Sequence, residues 1–208
     1  HLAKVCSENA TCMILREEIP LADETLRKRA DDNTVVLQTL FKKHGVEPVE
    51  MFSRDQAVVG GRTAVRILKS YLADDITDLV VDFSAMSIGM TFPIVRYLLN
   101  HAENNSGGHV LNLHLFAVDE PLTDGAITSI ASDRVTPVFG FKGELGLDTH
   151  RDAAKLWLPQ LGVGDNVRTV LRRVHNSVEP DAVCPIIPMA PSLPRLGDNL
   201  IWEYRDEF

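Results

Sequence analysis

The sequence predicts an α/β protein with a Rossmann-like, mostly parallel sheet, helices on both faces, and an irregular, proline-rich C-terminal part. Three observations predict this class. Strand-like runs alternate along the chain with segments of helical periodicity, the order that produces parallel sheets. Two of the runs, Leu79–Phe83 and Val110–Val118, are largely apolar, as strands covered on both faces are. Small-residue turns join strands to helices, as they do in βα units.

The first part of the chain contains two predicted strands separated by a helix. The apolar run Thr11–Leu15 predicts the first strand. Leu26–His44 carries apolar side chains at helical spacing, and Gly45 stands where a C-cap glycine would end that helix. Val46–Phe52 alternates and predicts a strand near a sheet edge, because Pro48 cannot donate to a ladder.

The next part contains the strongest strand signals. A helix is expected over Gly60–Leu72, then the strand Leu79–Phe83. The helix Thr91–His101 follows, with its start placed near Thr91 because Pro93 fits only a first helical turn. Val110–Val118 is the next strand. A central strand is buried on both faces, which predicts a core made of Val80, Val81, Phe83, Leu113 and Leu115.

The segments after residue 118 are less regular. We expect three helices, an edge strand or extended loop that its prolines keep out of a sheet centre, and a terminal strand. In chain order these are Asp124–Ser132, Ala153–Leu161, Val167–Val178, Val183–Met189 and Ile201–Phe208.

We expect two regions. Residues 1–136 form the Rossmann-like α/β domain, and residues 137–208 form a helical, proline-rich extension that can belong to the same domain. The start without a methionine and the apolar end are typical of a fragment, so we expect a longer functional protein. Apolar side chains near the end predict a homo-oligomer or contact with a further domain beyond Phe208. These side chains are Ile186, Ile187, Met189, Ile201 and Trp202.

The composition argues against several partners. The 29 acidic and 21 basic residues give a formal net charge of −8, which disfavours general binding to nucleic acid or to anionic membranes. No apolar run approaches the roughly 20 residues of a membrane span. Three cysteines without a C-x-x-C pair favour a reducing cytoplasm over disulfides or a closed zinc site. We therefore expect a cytoplasmic protein with no metal site and no cofactor.

The first candidate ligand site is the turn that follows the strand Leu79–Phe83. A helix N-terminus presents free N–H groups and a partial positive charge, which suit phosphate or carboxylate. Gly89 allows a ligand to approach the backbone, and Ser84, Ser87 and Thr91 carry hydroxyls that can donate to an anion. The alternative is a purely structural turn in which Ser87 or Thr91 caps the helix.

The second candidate is the turn containing Gly60, Gly61 and Arg62. It also opens a helix, and Arg62 could supply positive charge to an anion wrapped by the glycines. The alternative is a plain turn that starts a helix.

The third candidate is acidic and consists of Asp82 inside one strand and of Asp119 and Glu120 at the end of the next. Carboxylates at strand ends bind ribose hydroxyls or metals, or act as bases. Asp82 lies within an apolar run, where a buried carboxylate is costly unless it is paired. The alternative is that Asp82 accepts a hydrogen bond from a neighbouring loop N–H or an arginine.

The strand Val80–Ser84, its small-residue turn and the amphipathic helix behind it resemble a known family. They are similar to the CRISPR-associated Rossmann-fold group of ligand-sensing domains (CARF-like domains), which place a Ser/Thr-rich turn after a sheet strand. The likeness spans Asp78–Leu98. It implies a Rossmann fold that senses nucleotide-like ligands, cyclic oligonucleotides in that family, as a dimer in bacterial antiviral defence.

The leading hypothesis is a domain that binds a small anionic or nucleotide-like ligand and acts as a sensor or assembly module. Two glycine- and serine-bearing turns without a recognisable catalytic set motivate it. One alternative is a nucleotide- or nucleoside-processing enzyme that uses Asp82 or Asp119. Another is a ligand-free interaction subunit docked through its proline-rich end.

Overall fold

The structure is a computed structural model that describes residues 10–19, 23–55, 57–72, 76–104, 111–118, 135, 138–141, 154–164, 166–188 and 194–207. The chain divides into two compact units. The first consists of His1–Ala117 and Val138–Lys142, and the second of Val118–Pro137 and Gly143–Phe208. The expected division after residue 136 stays a prediction, and the predicted helix Asp124–Ser132 lies outside the described residues.

The protein is a mixed α/β protein with short parallel strands. The strands are β1 (Thr11–Glu18), β2 (Lys43–Glu50), β3 (Asp78–Asp82), β4 (Asn112–Phe116), β5 (Leu156–Trp157) and β6 (Ala182–Val183). The helices are α1 (Glu24–Leu40), α2 (Gly60–Tyr71), α3 (Ile88–Asn104), α4 (Val167–Val178) and α5 (Leu196–Tyr204). The strands form three parallel pairs, β1 with β2, β3 with β4 and β5 with β6.

The β1–β2 pair has helices on both faces. Its register places Leu15 opposite Glu47 and Arg16 opposite Pro48. Because side chains alternate along a strand, Leu15 packs into the core on one face while Arg16 lies on the other. On that second face Arg16 Nη1 lies 2.6 Å from Oδ1 of Asp31, a residue of α1. Helix α1 therefore covers one face of the pair, and the core formed with α2 and α3 covers the other.

The end of α1 differs from the prediction. The helix stops at Leu40, its C-cap residue Phe41 is extended, and Gly45 lies inside β2 opposite Met13. The helical spacing of the apolar residues favoured a helix that extends to His44. Instead, His44 and Gly45 lie in β2, where they pair with β1. The local periodicity could not show this because the partner strand lies about thirty residues earlier.

The N-terminal ends of α2 and α3 pack closely because α2 begins with two buried glycines. A Cβ atom on Gly61 would lie 2.5 Å from the carbonyl oxygen of Gly89 and 2.6 Å from Cγ of Pro93. A Cβ atom on Gly60 would lie 2.5 Å from Sδ of Met51. Gly61 therefore lets the start of α2 approach the backbone of α3, and Gly60 lets it approach Met51.

Helix α3 begins at Ile88 rather than at the predicted Thr91, so Pro93 lies inside the helix. Proline has no N–H, and the carbonyl of Gly89 therefore lacks the donor that an ordinary residue at position 93 would supply. Gly61 packs beside this same carbonyl. The proline is tolerated in a buried position near the N-terminal end of a helix that is otherwise well packed.

The core of the first unit is formed mainly by helices and β2, which corrects the predicted core. Its buried members are Val49, Met51, Ala64, Leu68, Met90, Ile94 and Leu98. Val81 and Leu113 pack against it and are half-buried, as is Phe83, whereas Val80 and Leu115 are exposed. Burial alternates along β3, so this strand has one covered face rather than the predicted two.

The second unit confirms one predicted helix and corrects two other elements. Val167–Val178 is helical over the whole predicted range, because its apolar spacing is strongly amphipathic. The predicted helix Ala153–Leu161 is wrong: β5 lies there and pairs with β6, and a single bridge joins Gln160 to Ile186. The predicted terminal strand is also wrong, because α5 occupies Leu196–Tyr204.

Helix α5 separates buried from exposed apolar side chains. Leu200 and Tyr204 are buried in a small core that also contains Leu161 and Leu171. Trp202 is 71% exposed, and the guanidinium of its neighbour Arg205 lies over the indole ring, 4.0 Å from the ring centroid. Of the other apolar residues predicted at an interface, Ile186 and Ile201 are exposed, Ile187 is partly buried, and Met189 lies outside the described residues.

We expect acid to weaken the second unit through Glu207. Its carboxylate accepts two hydrogen bonds of 2.7 Å from the Arg172 guanidinium, which holds the pKa of Glu207 below its ordinary value of 4.5. A carboxylate with a lowered folded-state pKa stabilises the fold above the unfolded-state pKa, and this contribution is lost as the pH falls. Urea unfolding of the wild-type chain and Glu207→Gln should differ most at pH 7 and converge below pH 4.5. A difference that is independent of pH would contradict this role.

Candidate ligand-binding site

A cavity of the first unit lies at the carboxyl-terminal edge of the β1–β2 pair. Its volume is about 570 Å³. Its lining, which we call the arginine cavity, consists of Arg16, Glu18, Ile19, Arg27, Glu50, Phe52, Ser53 and Arg54. Open α/β sheets bind ligands at this edge, where the strand ends and following loops converge. A second cavity of about 90 Å³ in the other unit adjoins the Arg172–Glu207 pair and is too small for a nucleotide.

Arg16 is the best-defined cation of the arginine cavity. It lies near the end of β1, with its Nη1 2.6 Å from Asp31 Oδ1 and its Nε 3.0 Å from Glu18 Oε1. The Nε contact lacks hydrogen-bond geometry, and within the described part of the chain this buried atom has no hydrogen-bond partner. A buried donor without an acceptor is unfavourable, and such groups in native proteins are rare. The carboxylates of Asp31 and Glu18 hold the Arg16 guanidinium in place beside the cavity.

The other two arginines come from segments on either side of the strand ends. Arg27 lies in the first turn of α1, whose N-cap Asp23 accepts a 2.9 Å hydrogen bond from the Thr25 N–H. Arg54 lies in a turn after β2, closed by an antiparallel bridge between Phe52 and Val58. The sheet, a helix and a closed turn thus each contribute one guanidinium.

The cavity also contains two carboxylates and an aromatic ring. Glu18 and Glu50 are directly opposite each other in the parallel register, and so they lie on the same face of the sheet. No ion pair is found for Glu50 in the ranges that the structure describes. Phe52 lines the cavity, is half-buried, and packs on the core of the first unit.

The first predicted site, the turn before α3, is occupied by contacts within the chain. The backbone N–H of Ser87 donates to Oε1 of Glu17 at 2.7 Å, so a carboxylate of β1 already lies at this helix N-terminus. The Thr91 hydroxyl donates to the Ser87 carbonyl at 3.0 Å, and the Ser84 hydroxyl donates to Asp82 at 2.6 Å. These contacts stabilise the turn and the start of α3 within the protein itself. Ligand binding by Ser84, Ser87, Gly89 and Thr91 stays a prediction.

The second predicted site, the turn before α2, lies beside the turn before α3, because Gly61 packs on Gly89 and Pro93. Gly60 and Gly61 are buried against Met51 and α3, and the Gly60 N–H donates to the Met51 carbonyl at 3.3 Å. Arg62 is exposed. The close packing explains why two glycines occur here without invoking a ligand, and an anion-binding role for this turn stays a prediction.

The predicted acidic site is only partly described. Asp82 is exposed rather than buried, and its Oδ1 accepts from the Ser84 N–H at 3.0 Å, which confirms the alternative weighed for it. Asp119 and Glu120 lie outside the described residues. Within the described ranges no group of three or more His, Cys, Asp or Glu side chains is arranged to hold a metal ion.

Sequence reasoning missed the arginine cavity because it ended β1 at Leu15. The strand continues to Glu18, which brings Arg16 and Glu18 to the strand end. The Arg-Glu-Glu triplet after the apolar run was an available signal, since polar residues at a strand end often line a site. Arg27 and Arg54 lie at the start of a helix and in a turn, and no local pattern connects them to Arg16.

No family model, no curated protein and no solved structure matches this chain significantly.

Proposed function

We propose that this chain is a ligand-sensing or assembly domain that binds a small anionic, nucleotide-like ligand in the arginine cavity. The observation that carries the proposal is the convergence of three guanidinium groups, those of Arg16, Arg27 and Arg54, on one cavity at the ends of the strands. A phosphate oxygen is a suitable acceptor, because guanidinium–phosphate hydrogen bonds are charge-assisted and strong.

The size and position of the cavity support the same proposal. A volume of about 570 Å³ is in the range of roughly 300–1,000 Å³ typical of small-molecule sites. Two parallel strands end beneath it, as in the Rossmann-like arrangement that we propose for the first unit. The arginines lie on three separate segments, so they can surround a ligand rather than contact one side of it.

Calorimetric titration tests the proposal. The full chain is titrated with AMP, GMP, pyrophosphate and a cyclic dinucleotide at fixed salt concentration. We expect at least one of these to bind, and we expect Arg54→Gln or Arg27→Gln to weaken that binding about tenfold or more, the effect of a lost charge-assisted hydrogen bond. Arg66→Gln is the matched control, because Arg66 is exposed on α2 and does not line the cavity.

The outcomes separate the cavity from the predicted turns. Binding lost in Arg62→Gln but kept in Arg54→Gln would place the ligand at the turn before α2 and overturn the cavity. Failure of all four compounds to bind would overturn the function itself. Circular dichroism of each variant checks that a loss of binding does not reflect unfolding.

The wider biological proposals rest on the resemblance of Asp78–Leu98 to CARF-like domains. They are a sensor role in bacterial antiviral defence and the binding of the ligand by a dimer. Two further proposals rest on the sequence itself: a cytoplasmic location on the three cysteines, and a homo-oligomer on the apolar side chains near the C-terminal end. The exposed Trp202 and Ile201 are consistent with an interface near α5. None of the helices in the described ranges is long and apolar enough to pass through a membrane. The two alternatives, a nucleotide-processing enzyme and a ligand-free interaction subunit, stay hypotheses.

A further inference from the structure

We infer that the arginine cavity selects a guanine nucleotide, with Glu50 as the residue that reads the base; this inference rests on the proposed function. The charges of the lining are the starting point. Three arginines share the cavity with two glutamates, and Arg16 is already paired with Glu18 and Asp31. A simple polyanion would be attracted by the arginines and repelled by the glutamates. A ligand with an anionic end and an end rich in hydrogen-bond donors suits both.

Glu50 is the acceptor left for such donors. Glu18 is in contact with Arg16, whereas no ion pair to Glu50 is found within the described part of the chain. Glu50 is also exposed, so its carboxylate is accessible from the cavity that it lines. An ionised carboxylate only accepts hydrogen bonds, and it therefore binds groups that present N–H or O–H donors.

Phe52 supplies a surface for a flat ring. It lines the cavity next to the end of β2, and its backbone is held by the bridge to Val58. Its packing on the core of the first unit limits its movement. Aromatic side chains stack on nucleic-acid bases with little dependence on base identity, so Phe52 favours a nucleotide but does not choose the base.

The choice of base follows from the carboxylate. Guanine presents two adjacent donors, N1–H and the N2 amino group, which match the two oxygens of a carboxylate. Adenine presents one amino donor beside the acceptor N1, which a carboxylate repels. Phosphate held by Arg27 and Arg54, a base stacked on Phe52 and guanine donors on Glu50 together account for the chemistry of the lining.

Calorimetry with GMP, AMP, ribose 5-phosphate and pyrophosphate tests this inference on the wild-type chain. We expect GMP to bind at least tenfold more tightly than AMP or ribose 5-phosphate. In Glu50→Gln the affinity for GMP should fall to about that for AMP, with ribose 5-phosphate unchanged. Phe52→Leu should weaken GMP and AMP but spare ribose 5-phosphate. Glu103→Gln, an exposed change on α3 outside the cavity lining, is the charge-matched control.

Equal affinities for GMP and AMP in the wild-type chain would overturn the inference without any variant. Tighter GMP binding in Glu50→Gln would also overturn it, because it would show that the carboxylate only repels the phosphate. In both cases binding of pyrophosphate or AMP that depends on Arg54 would leave the proposed function standing. If none of the four compounds binds, the inference is wrong, and the proposed function is wrong as well if the cyclic dinucleotide also fails to bind.

Discussion

Gly61→Ala is expected to lower the free energy of unfolding by about 1–3 kcal/mol, the usual cost of overpacking a well-packed site. The new Cβ would lie 2.5 Å from the Gly89 carbonyl oxygen and 2.6 Å from Cγ of Pro93. Neither atom is the end of a flexible side chain, so the helices α2 and α3 must move apart. Alanine gains up to about 1 kcal/mol over glycine inside a helix, which offsets the cost only in part. Urea unfolding followed by circular dichroism measures the change.

Gly89→Ala is the matched control for this prediction. A Cβ atom on Gly89 would make only ordinary contacts, the nearest at 3.9 Å to Met51 Cε and to Ser87 Oγ. We expect this variant to be as stable as the wild type or slightly more stable. If the two alanine variants have the same stability, the close approach of α2 and α3 is not a determinant of the fold.

Leu98→Ala is expected to cost about 2–5 kcal/mol, because it removes a wholly buried side chain and leaves a cavity in the core of the first unit. The adjacent Leu99 is 45% exposed on the same helix, and Leu99→Ala should change stability by no more than about 0.5 kcal/mol. Leu98 and Leu99 are the same residue type at adjacent positions of one helix, so the two variants differ mainly in how deeply the replaced side chain is buried. Urea unfolding of both variants checks it, and similar losses in both would show that the apolar face of α3 is misassigned.

The predicted core was only partly right, because the exposure of a side chain depends on the face of the element on which it lies. Val80 and Leu115 lie in apolar runs, and an apolar run favours a strand covered on both faces. In the structure the burial of β3 alternates, and the fully buried positions belong instead to β2, α2 and α3. Composition along one strand therefore identified the strand correctly but did not identify which of its faces the helices cover.

The candidate sites predicted from the sequence differ from the cavity that the structure shows. The rule that ligands bind at the carboxyl ends of parallel strands predicts a site at this kind of sheet edge, and the arginine cavity lies at such an edge. The rule was applied to the turns before α2 and α3, whose glycines and hydroxyls are conspicuous in the sequence. The structure shows that Glu17, 70 positions away from Ser87, contacts one turn and that Gly61 packs on Pro93 at the other. Arg16, Arg27 and Arg54 line the larger cavity instead.

The sequence by itself determined the class of the protein, the parallel order of its strands and the helix Val167–Val178, because alternating strand and helix periodicities are local properties of the chain. Only the tertiary structure decided where α1 ends, which face of β3 is buried and which strand end forms a cavity. Each of these depends on a partner distant in the chain: β1 for Gly45, the core for Val81, and Asp31 with Glu18 for Arg16. Contacts of this kind join residues that are far apart in the chain, so they leave no periodic trace in the sequence.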